Sequence, residues 1–320
     1  EIYTLSLHDA LPICNLKWGL SAAGFLDPDT FSFFQSHGIN LLSGYGMTEA
    51  TGGVTMTPPN NYVKNSVGTS LPGIQLKLKQ DGELCLKGDY VTKGYYKEDN
   101  NEIFVDGWFY TEDIFEKKNG HYFIIDRKKD IYKNSRGQTI APQKIENLFQ
   151  DFESIKSIFL VGDGREFNTV LIFPNYENSP INLYQLKSND LRDYFSSIIL
   201  SVNSFLSPYE RIVNFVTIQR NFSKDKGELT HKGTFKRKII LKNFEKIIEP
   251  LYEKNYISLY HNSYEIRIPN WLTREIGTVK NNISWDGKVL LISNQSKSLN
   301  INWLQDNVQI GDFIYNTNSK

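Results

Sequence analysis

The chain has 320 residues, room for two domains or more, and its 36 Lys+Arg balance 36 Asp+Glu to a net charge of zero. That balance exerts no general pull toward nucleic acid, and no apolar run approaches the roughly 20 residues needed to span a bilayer. Two distant cysteines, Cys14 and Cys85, cannot make a four-ligand zinc site and give no sign of an oxidising compartment, so a soluble, cytoplasmic protein is expected.

Residues 1–13 lack the charged start and long apolar core of a signal peptide, and the chain has no initiator Met. The stretch is similar to translated sequencing-adapter read-through. Residues 1–14 are therefore expected to be a non-native start, with the native protein extending upstream. From Asn15 the pattern becomes regular. Residues 17–21 predict a short strand, and Asp27 and Pro28 predict the start of a helix carrying Phe31, Phe34 and Gln35, which Gly38 ends. A second short strand, 39–42, runs into a glycine-rich loop at 43–53. A strand ending in such a loop is where open α/β sheets bind ligands. The loop offers backbone N–H groups, the aromatic face of Tyr45, the Thr48 hydroxyl and the Glu49 carboxylate. Taken alone it is a weak signal: glycines serve tight turns, Tyr45 could pack, and Glu49 could face solvent.

Residues 66–125 predict antiparallel hairpins forming a small barrel or sandwich, punctuated by Pro72-Gly73, Asp81-Gly82, Lys87-Gly88, Lys93-Gly94 and Asn119-Gly120. A charged joint follows, with five cationic side chains between Arg127 and Arg136, too many to bury unpaired. Ala141-Pro142 then predicts a helix start, with Ile145, Leu148, Phe149 and Phe152 on one face. Strands are expected at 155–161, 168–173 and 212–218. A long amphipathic helix is expected at 183–206, with Leu191, Phe195, Ile198, Ile199, Val202 and Phe205 inward, and a last helix at 236–252. Residues 222–234 read as polar and flexible. Beyond Tyr256 the chain is rich in Asn and Ser, with short β-like runs and a hairpin turn at Asp286-Gly287, and it carries no motif.

These pieces resemble the adenylate-forming (AMP-binding) enzyme superfamily. The resemblance rests on Tyr45-Gly46-Met47-Thr48-Glu49, on Gly82-Glu83-Leu84 through Gly94-Tyr95-Tyr96, on Gly107-Trp108-Phe109-Tyr110-Thr111 to Asp113, and on Ile125-Asp126-Arg127-Lys128-Lys129-Asp130. Ile140-Ala141-Pro142-Gln143-Lys144-Ile145-Glu146 is similar to the long-chain fatty acyl-CoA synthetase branch, and Leu206-Ser207-Pro208-Tyr209-Glu210-Arg211-Ile212 also fits. The match runs over roughly residues 15–250. It implies a mixed α/β (α+β) fold. Residues 15–125 would be the end of a large N-terminal domain with its β-rich subdomain at about 66–125. A hinge at 126–130, a small mobile domain at 131–255 and, at 256–320, an unassigned tail or the start of a further domain would follow.

The resemblance also implies a reaction, in which ATP activates a fatty acid to an acyl-adenylate and the acyl group passes to coenzyme A. Tyr45 would stack on adenine, with Ala23, Gly24, Gly44, Gly46 and Met47 around the nucleotide. Thr48 would contact phosphate oxygen and Glu49 would hold Mg²⁺. Asp113 would accept hydrogen bonds from the ribose hydroxyls, Arg127 would contact the same ribose, and Lys129 falls at the hinge position. A carrier-protein thiol as acceptor, or a degenerate nucleotide binder, are the other readings; no nucleic-acid partner is expected, and peripheral membrane contact stays open.

Three departures stand out. No glycine/Ser/Thr-rich phosphate loop with its lysine is present. The loop lysine that the family brings in during adenylation aligns with Thr234, flanked by Lys232 and Lys236, of which Lys236 is the preferred replacement. Glu112 stands where the family usually has Gly. The sequence thus resembles the last part of such an enzyme, and the chain alone is expected to be inactive.

Overall fold

The computed structural model describes residues 18–22, 26, 28–59, 61–97, 100–231, 233–262, 264–304 and 307–316. The chain divides into two compact units, Glu1–Ile131 and Tyr132–Lys320.

In the first unit, β1 (Gly19–Ser21) runs parallel to β2 (Leu41–Met47), with Ser21 opposite Ser43. Helix α1 (Pro28–Ser36) joins them and buries Phe31. Gly38, at φ +75°, turns the chain out of the helix. The Asp27 cap lies outside the described residues. β3 (Gly52–Met56) and β4 (Thr69–Ser70) extend the sheet antiparallel. The glycine-rich loop expected at 43–53 is therefore mostly strand. Gly46 shows why: a Cβ there would lie 1.9 Å from the Gly52 carbonyl oxygen, so its missing side chain lets β2 and β3 approach.

A second, five-stranded sheet comprises β5 (Ile74–Leu78), β6 (Glu83–Gly88), β7 (Phe104–Val105), β8 (Trp108–Lys118) and β9 (His121–Arg127). Two of its hairpins turn on Asp106-Gly107 and Asn119-Gly120, with positive φ at all four residues, the conformation that two-residue hairpins favour. Val54, Leu84, Leu86, Phe109 and Phe115 fill the core of this unit.

The second unit opens with a short ladder, β10 (Tyr132–Lys133) against β11 (Thr139–Ile140), and helix α2 (Pro142–Asn147). Its main sheet pairs β12 (Ile155–Val161) antiparallel to β13 (Asn168–Pro174), and β13 parallel to β14 (Ile212–Thr217). Alternation along β12 covers both faces. Ile158 and Leu160 pack with Phe195, Ile198, Ile199 and Val202 of helix α3 (Ser188–Asn203). Phe159 and Val161 pack with Phe222, Ile240, Phe244 and Ile248.

Helix limits differ from the periodicity reading. α3 stops at Asn203 because that side chain turns to the neighbouring strand: its Nδ2 donates to the Ile212 carbonyl at 2.8 Å, and its Oδ1 accepts from the Ile212 N–H at 2.9 Å. Phe205, expected inward, is 78% exposed, and residues 183–185 form a separate 3₁₀ turn. α2 ends at Asn147, which leaves Leu148 on the surface. The last helix breaks at Phe244, whose φ of −106° and ψ of 10° leave the helical basin, into α4 (Arg237–Asn243) and α5 (Glu245–Ile248). Nor are residues 222–234 a loose polar run, since Phe222 and Glu228 are buried.

Residues 256–316 belong to the second unit. β15 (Tyr256–His261) and β16 (Tyr264–Pro269) form a hairpin, followed by helix α6 (Asn270–Ile276). A five-stranded antiparallel meander follows, of β17 (Ile283–Trp285), β18 (Val289–Ile292), β19 (Lys297–Leu304), β20 (Asn307–Ile310) and β21 (Phe313–Asn316). This extension is bolted to the α+β core. Arg211 Nη1 donates to the Arg274 carbonyl at 3.1 Å and to the Glu275 carbonyl, Arg274 Nη1 donates to the Glu166 carbonyl at 3.2 Å, and Val279 enters the core. It carries Trp271, Trp285 and Trp303, three of the chain's five tryptophans. No helix among the described residues is long and apolar enough to cross a membrane.

Candidate active site

β2 ends in a 3₁₀ turn, Thr48–Ala50, closed by the Thr51 N–H donating to the Thr48 carbonyl at 3.0 Å. The turn exposes Thr48 and half-buries Glu49. Glu49 Oε1 accepts from the Tyr95 hydroxyl at 2.7 Å, while its carbonyl accepts from the Thr92 N–H at 2.7 Å. Tyr95 lies at the end of the second family-like motif, so two segments 46 residues apart meet at this carboxylate.

Two strand positions before Met47, Tyr45 leans edge-on against Phe115, ring centroids 4.9 Å apart. Its hydroxyl donates to Asp113 Oδ2 at 2.6 Å. The other carboxylate oxygen, Oδ1, lies 3.6 Å from Arg127 Nε. β8 and β9 pair Asp113 with Arg127 directly, so the pairing of the strands sets this contact. Burial pushes the Asp113 carboxyl up; the Tyr45 hydrogen bond and the Arg127 charge pull the other way, and the net direction is up. The Tyr45 hydroxyl is pushed well up by burial and by the Asp113 carboxylate.

A bulge aims Asp113. Register between β6 and β8 shifts between Glu83 and Cys85, and Glu112 sits at φ +58°. A left-handed backbone is strained for Glu and free for Gly, which accounts physically for a glycine preference at this position. The Thr111 hydroxyl donates to the Leu84 carbonyl at 2.8 Å and accepts from the Asp113 N–H at 3.1 Å, which fixes the far side of the bulge.

The charged joint is partly tied down, which the sequence reading missed. Lys128 Nζ contacts Asp81 Oδ2 at 2.9 Å and Glu83 Oε2 at 2.8 Å. Asp126 is buried. Lys129 is exposed. A signal for the first of these was available: an acid in a buried strand position, four residues after Lys79, calls for cations.

In the second unit the hairpin 229–235 carries the position where a catalytic lysine was expected. Thr234 and Thr230 share a hydroxyl–hydroxyl hydrogen bond of 2.7 Å, Gly233 turns at φ +85°, and Leu229 bridges Phe235. The base of the hairpin is held by Glu228, wholly buried, which accepts from Arg220 Nη1 at 2.8 Å, Arg220 Nη2 at 2.7 Å, Asn243 Nδ2 at 2.8 Å and the Ser223 N–H at 2.9 Å. These donors overcome the upward push of burial and hold the Glu228 carboxyl down at about 2.

Lys236 is exposed just after the hairpin, its N–H donating to the Glu228 carbonyl at 2.8 Å. The neighbouring Arg237 has another task. Its Nη2 pairs with buried Glu146 Oε2 at 2.5 Å, while Glu146 Oε1 accepts from the Leu160 N–H at 2.7 Å. Glu146 closes the 140–146 motif, so that motif's acid is structural.

The first unit thus brings together Tyr45, Asp113 and Arg127, and places Gly44, Gly46 and Met47 on the strand leading to Thr48 and Glu49. Ala23, Gly24 and Lys232 lie outside the described residues, and Lys236 belongs to the other unit. No group of three or more His, Cys, Asp or Glu side chains among the described residues is placed to hold a metal. A Mg²⁺ shared between Glu49 and phosphate oxygens remains compatible with these residues, because Mg²⁺ is commonly held by one or two carboxylates plus substrate phosphates.

Residues 7–96 match the family model described as AMP-binding enzyme, and residues 129–256 that of the AMP-binding enzyme C-terminal domain. The long-chain-fatty-acid–CoA ligase FadD15 of Mycobacterium bovis is 30% identical over 255 residues, which are 75% of this chain and 42% of that protein. Long-chain-fatty-acid–CoA ligase 6 of Rattus norvegicus is 32% identical over 262 residues, 73% of this chain and 38% of that one. The chain therefore spans about two fifths of the length of these curated relatives. In fold it is similar to the A-PCP didomain of carboxylic acid reductase from Segniliparus rugosus in complex with AMP (TM-score 0.59, 22% identity, 73% of this chain and 34% of that one). It is also similar to the anthranilate CoA ligase AuaEII in complex with anthranoyl-AMP (TM-score 0.57, 18% identity, 72% of this chain and 45% of that one).

Proposed function

Since the chain belongs to the adenylate-forming, AMP-binding enzyme family, we propose that it supplies the nucleotide grip and the hinge of an enzyme that activates a carboxylic acid with ATP. The acid's carboxylate oxygen attacks the α-phosphorus, the bond to pyrophosphate breaks, and acyl-AMP forms. A thiol then attacks the acyl carbon and AMP leaves. The names of the curated relatives support a long-chain fatty acid and the thiol of coenzyme A.

The observation that carries the reading is the Tyr45–Asp113–Arg127 cluster beside the Thr48–Glu49 turn. Asp113 offers carboxylate oxygens for ribose hydroxyls, with Tyr45 and Arg127 fixing its orientation. Tyr45 presents an aromatic face for adenine. Thr48 offers a hydroxyl to phosphate, and Glu49 would hold Mg²⁺, which neutralises phosphate charge when bound. Phosphoryl chemistry of this kind is mostly positioning and charge neutralisation, and these residues are of the types it needs. Lys129 is the pivot, and Lys236 is the cation offered from the second unit in place of the lysine that Thr234 replaces. The absence of a glycine/Ser/Thr-rich phosphate loop from the chain supports the view that it is inactive alone, and Cys85, a buried free thiol, supports a cytoplasmic setting.

The test is AMP titration by calorimetry on this chain, wild type against Asp113→Asn. Hydrogen bonds to a charged group contribute about 1.5–3 kcal/mol, so Asp113→Asn should weaken AMP about 10–150-fold. Equal affinity in the two proteins refutes the ribose assignment. A second reading takes the thiol of a carrier protein as the acceptor. Acyl transfer from the complete enzyme to coenzyme A or to a carrier protein, run side by side, separates the two.

A further inference from the structure

We propose that Glu83 is a positioning residue: its carboxylate ties the bulge that presents Asp113 to Lys128, the last fixed residue before the pivot. The inference rests on the reading of Lys129 as that pivot. The Glu83 side chain is 3% exposed and meets three donors from three segments. Lys79 Nζ comes from its own hairpin at 2.8 Å, Lys128 Nζ from the joint at 2.8 Å, and the Glu112 N–H from the bulge at 3.3 Å. The loop of contacts closes on itself, because the Lys128 N–H donates to the Glu112 carbonyl at 2.7 Å.

A buried acid needs cations, and Lys79, across the same hairpin turn, would neutralise it without involving the joint. The second cation comes from the residue just before the pivot, and Asp81 holds that same ammonium at 2.9 Å from the other side. Beyond Lys128 the chain makes a local turn, with the Asp130 and Ile131 N–H groups both reaching the Arg127 carbonyl at 2.9 and 3.1 Å. One carboxylate therefore does two things. It supports the strained Glu112 backbone that aims Asp113, and it anchors the chain as far as Lys128, so that dihedral change is confined to Lys129 and the residues after it.

Amide hydrogen exchange with fragment-level mass readout on this chain tests the proposal. Glu83→Gln and Lys128→Met should each speed exchange of the fragments containing Glu112 and Lys128 about tenfold or more, as expected when a charge-assisted contact is lost locally. Lys128→Arg, which keeps the charge, should restore slow exchange, and Lys79→Met should leave the Lys128 fragment slow. Tryptic cleavage before residue 129 should appear in Glu83→Gln and not in wild type. Unchanged exchange at both fragments, or a uniform rise throughout residues 18–131, overturns the proposal; the uniform rise would mean an ordinary fold-stabilising pair. An AMP titration of the same proteins is read separately: wild type that fails to bind AMP removes the functional reading, while the exchange pattern still decides the anchor.

Discussion

Glu228 is the point at which the second unit is most sharply testable. Its carboxylate has no exposure and accepts four hydrogen bonds, two of them from the Arg220 fork. Glu228→Gln keeps the shape, removes the charge, and turns an NH₂ group toward donors. Losing charge-assisted bonds inside a buried site costs about 1.5–3 kcal/mol each, discounted here because the Arg220 side chain is 38% exposed and screened. The net expectation is a loss of about 2–4 kcal/mol at pH 7. For a unit of this size that lowers the melting temperature by about 4–16 °C. The assay is urea unfolding followed by far-UV circular dichroism.

A pH series sharpens it. The folded-state value of about 2 lies below the ordinary 4.5, so the unfolded chain takes up the proton first as pH falls. Wild-type stabilisation from this group is complete above about pH 4.5 and drains away as pH falls toward 2. The gap between wild type and Glu228→Gln should therefore narrow steadily between those values. A loss below about 1 kcal/mol at pH 7, or a gap that stays constant down to pH 3, would refute this account of the carboxylate.

Gly46→Ala should destabilise the first unit by more than about 3 kcal/mol, because its Cβ would enter the Gly52 carbonyl and part β2 from β3; urea midpoints measure this. Glu112→Gly relieves a left-handed backbone and should raise stability by about 0.5–1 kcal/mol after the entropy lost to a freer unfolded chain, read the same way. Arg237→Met breaks the pair with Glu146 and should cost about 3–5 kcal/mol, whereas Lys236→Ala, at an exposed position, should change stability by less than about 0.5 kcal/mol. A single-turnover adenylation measurement on the complete enzyme should rank these two changes in the opposite order, with Lys236→Ala the slower.

How much of this could be read from residues alone varied with the physics behind each element. Strands at 155–161 and 168–173 were legible because runs of apolar, largely β-branched and aromatic residues this short, bounded by Gly and Pro, suit a buried strand far better than a helix. Hairpins at Asn119-Gly120 and Asp286-Gly287 were legible from turn chemistry. Helix ends were not: Asn203 leaves its helix to satisfy the Ile212 backbone, a partner nine residues away that no periodicity reveals. The strand character of Gly44 and Gly46 was hidden for a similar reason, since glycine marks a loop and a close strand contact equally well. Tyr45 and Asp113 could be nominated, but the 2.6 Å bond joining them depends on a bulge 68 residues downstream of Tyr45.

The docked extension has a spectroscopic consequence. Residues 132–255 contain no tryptophan, so all indole emission from the second unit originates in the extension. Trp303 stacks on Tyr264 with centroids 4.0 Å apart, Trp285 is buried beside His261, and Trp271 is half exposed. With Trp18→Phe and Trp108→Phe in the first unit, fluorescence is thus a gauge of whether the extension is intact, and it is blind to the α+β core itself. If emission and circular dichroism trace the same transition, the Arg211 and Arg274 bolts couple extension and core into one cooperative body. If emission shifts first, the extension peels away from a core that remains folded.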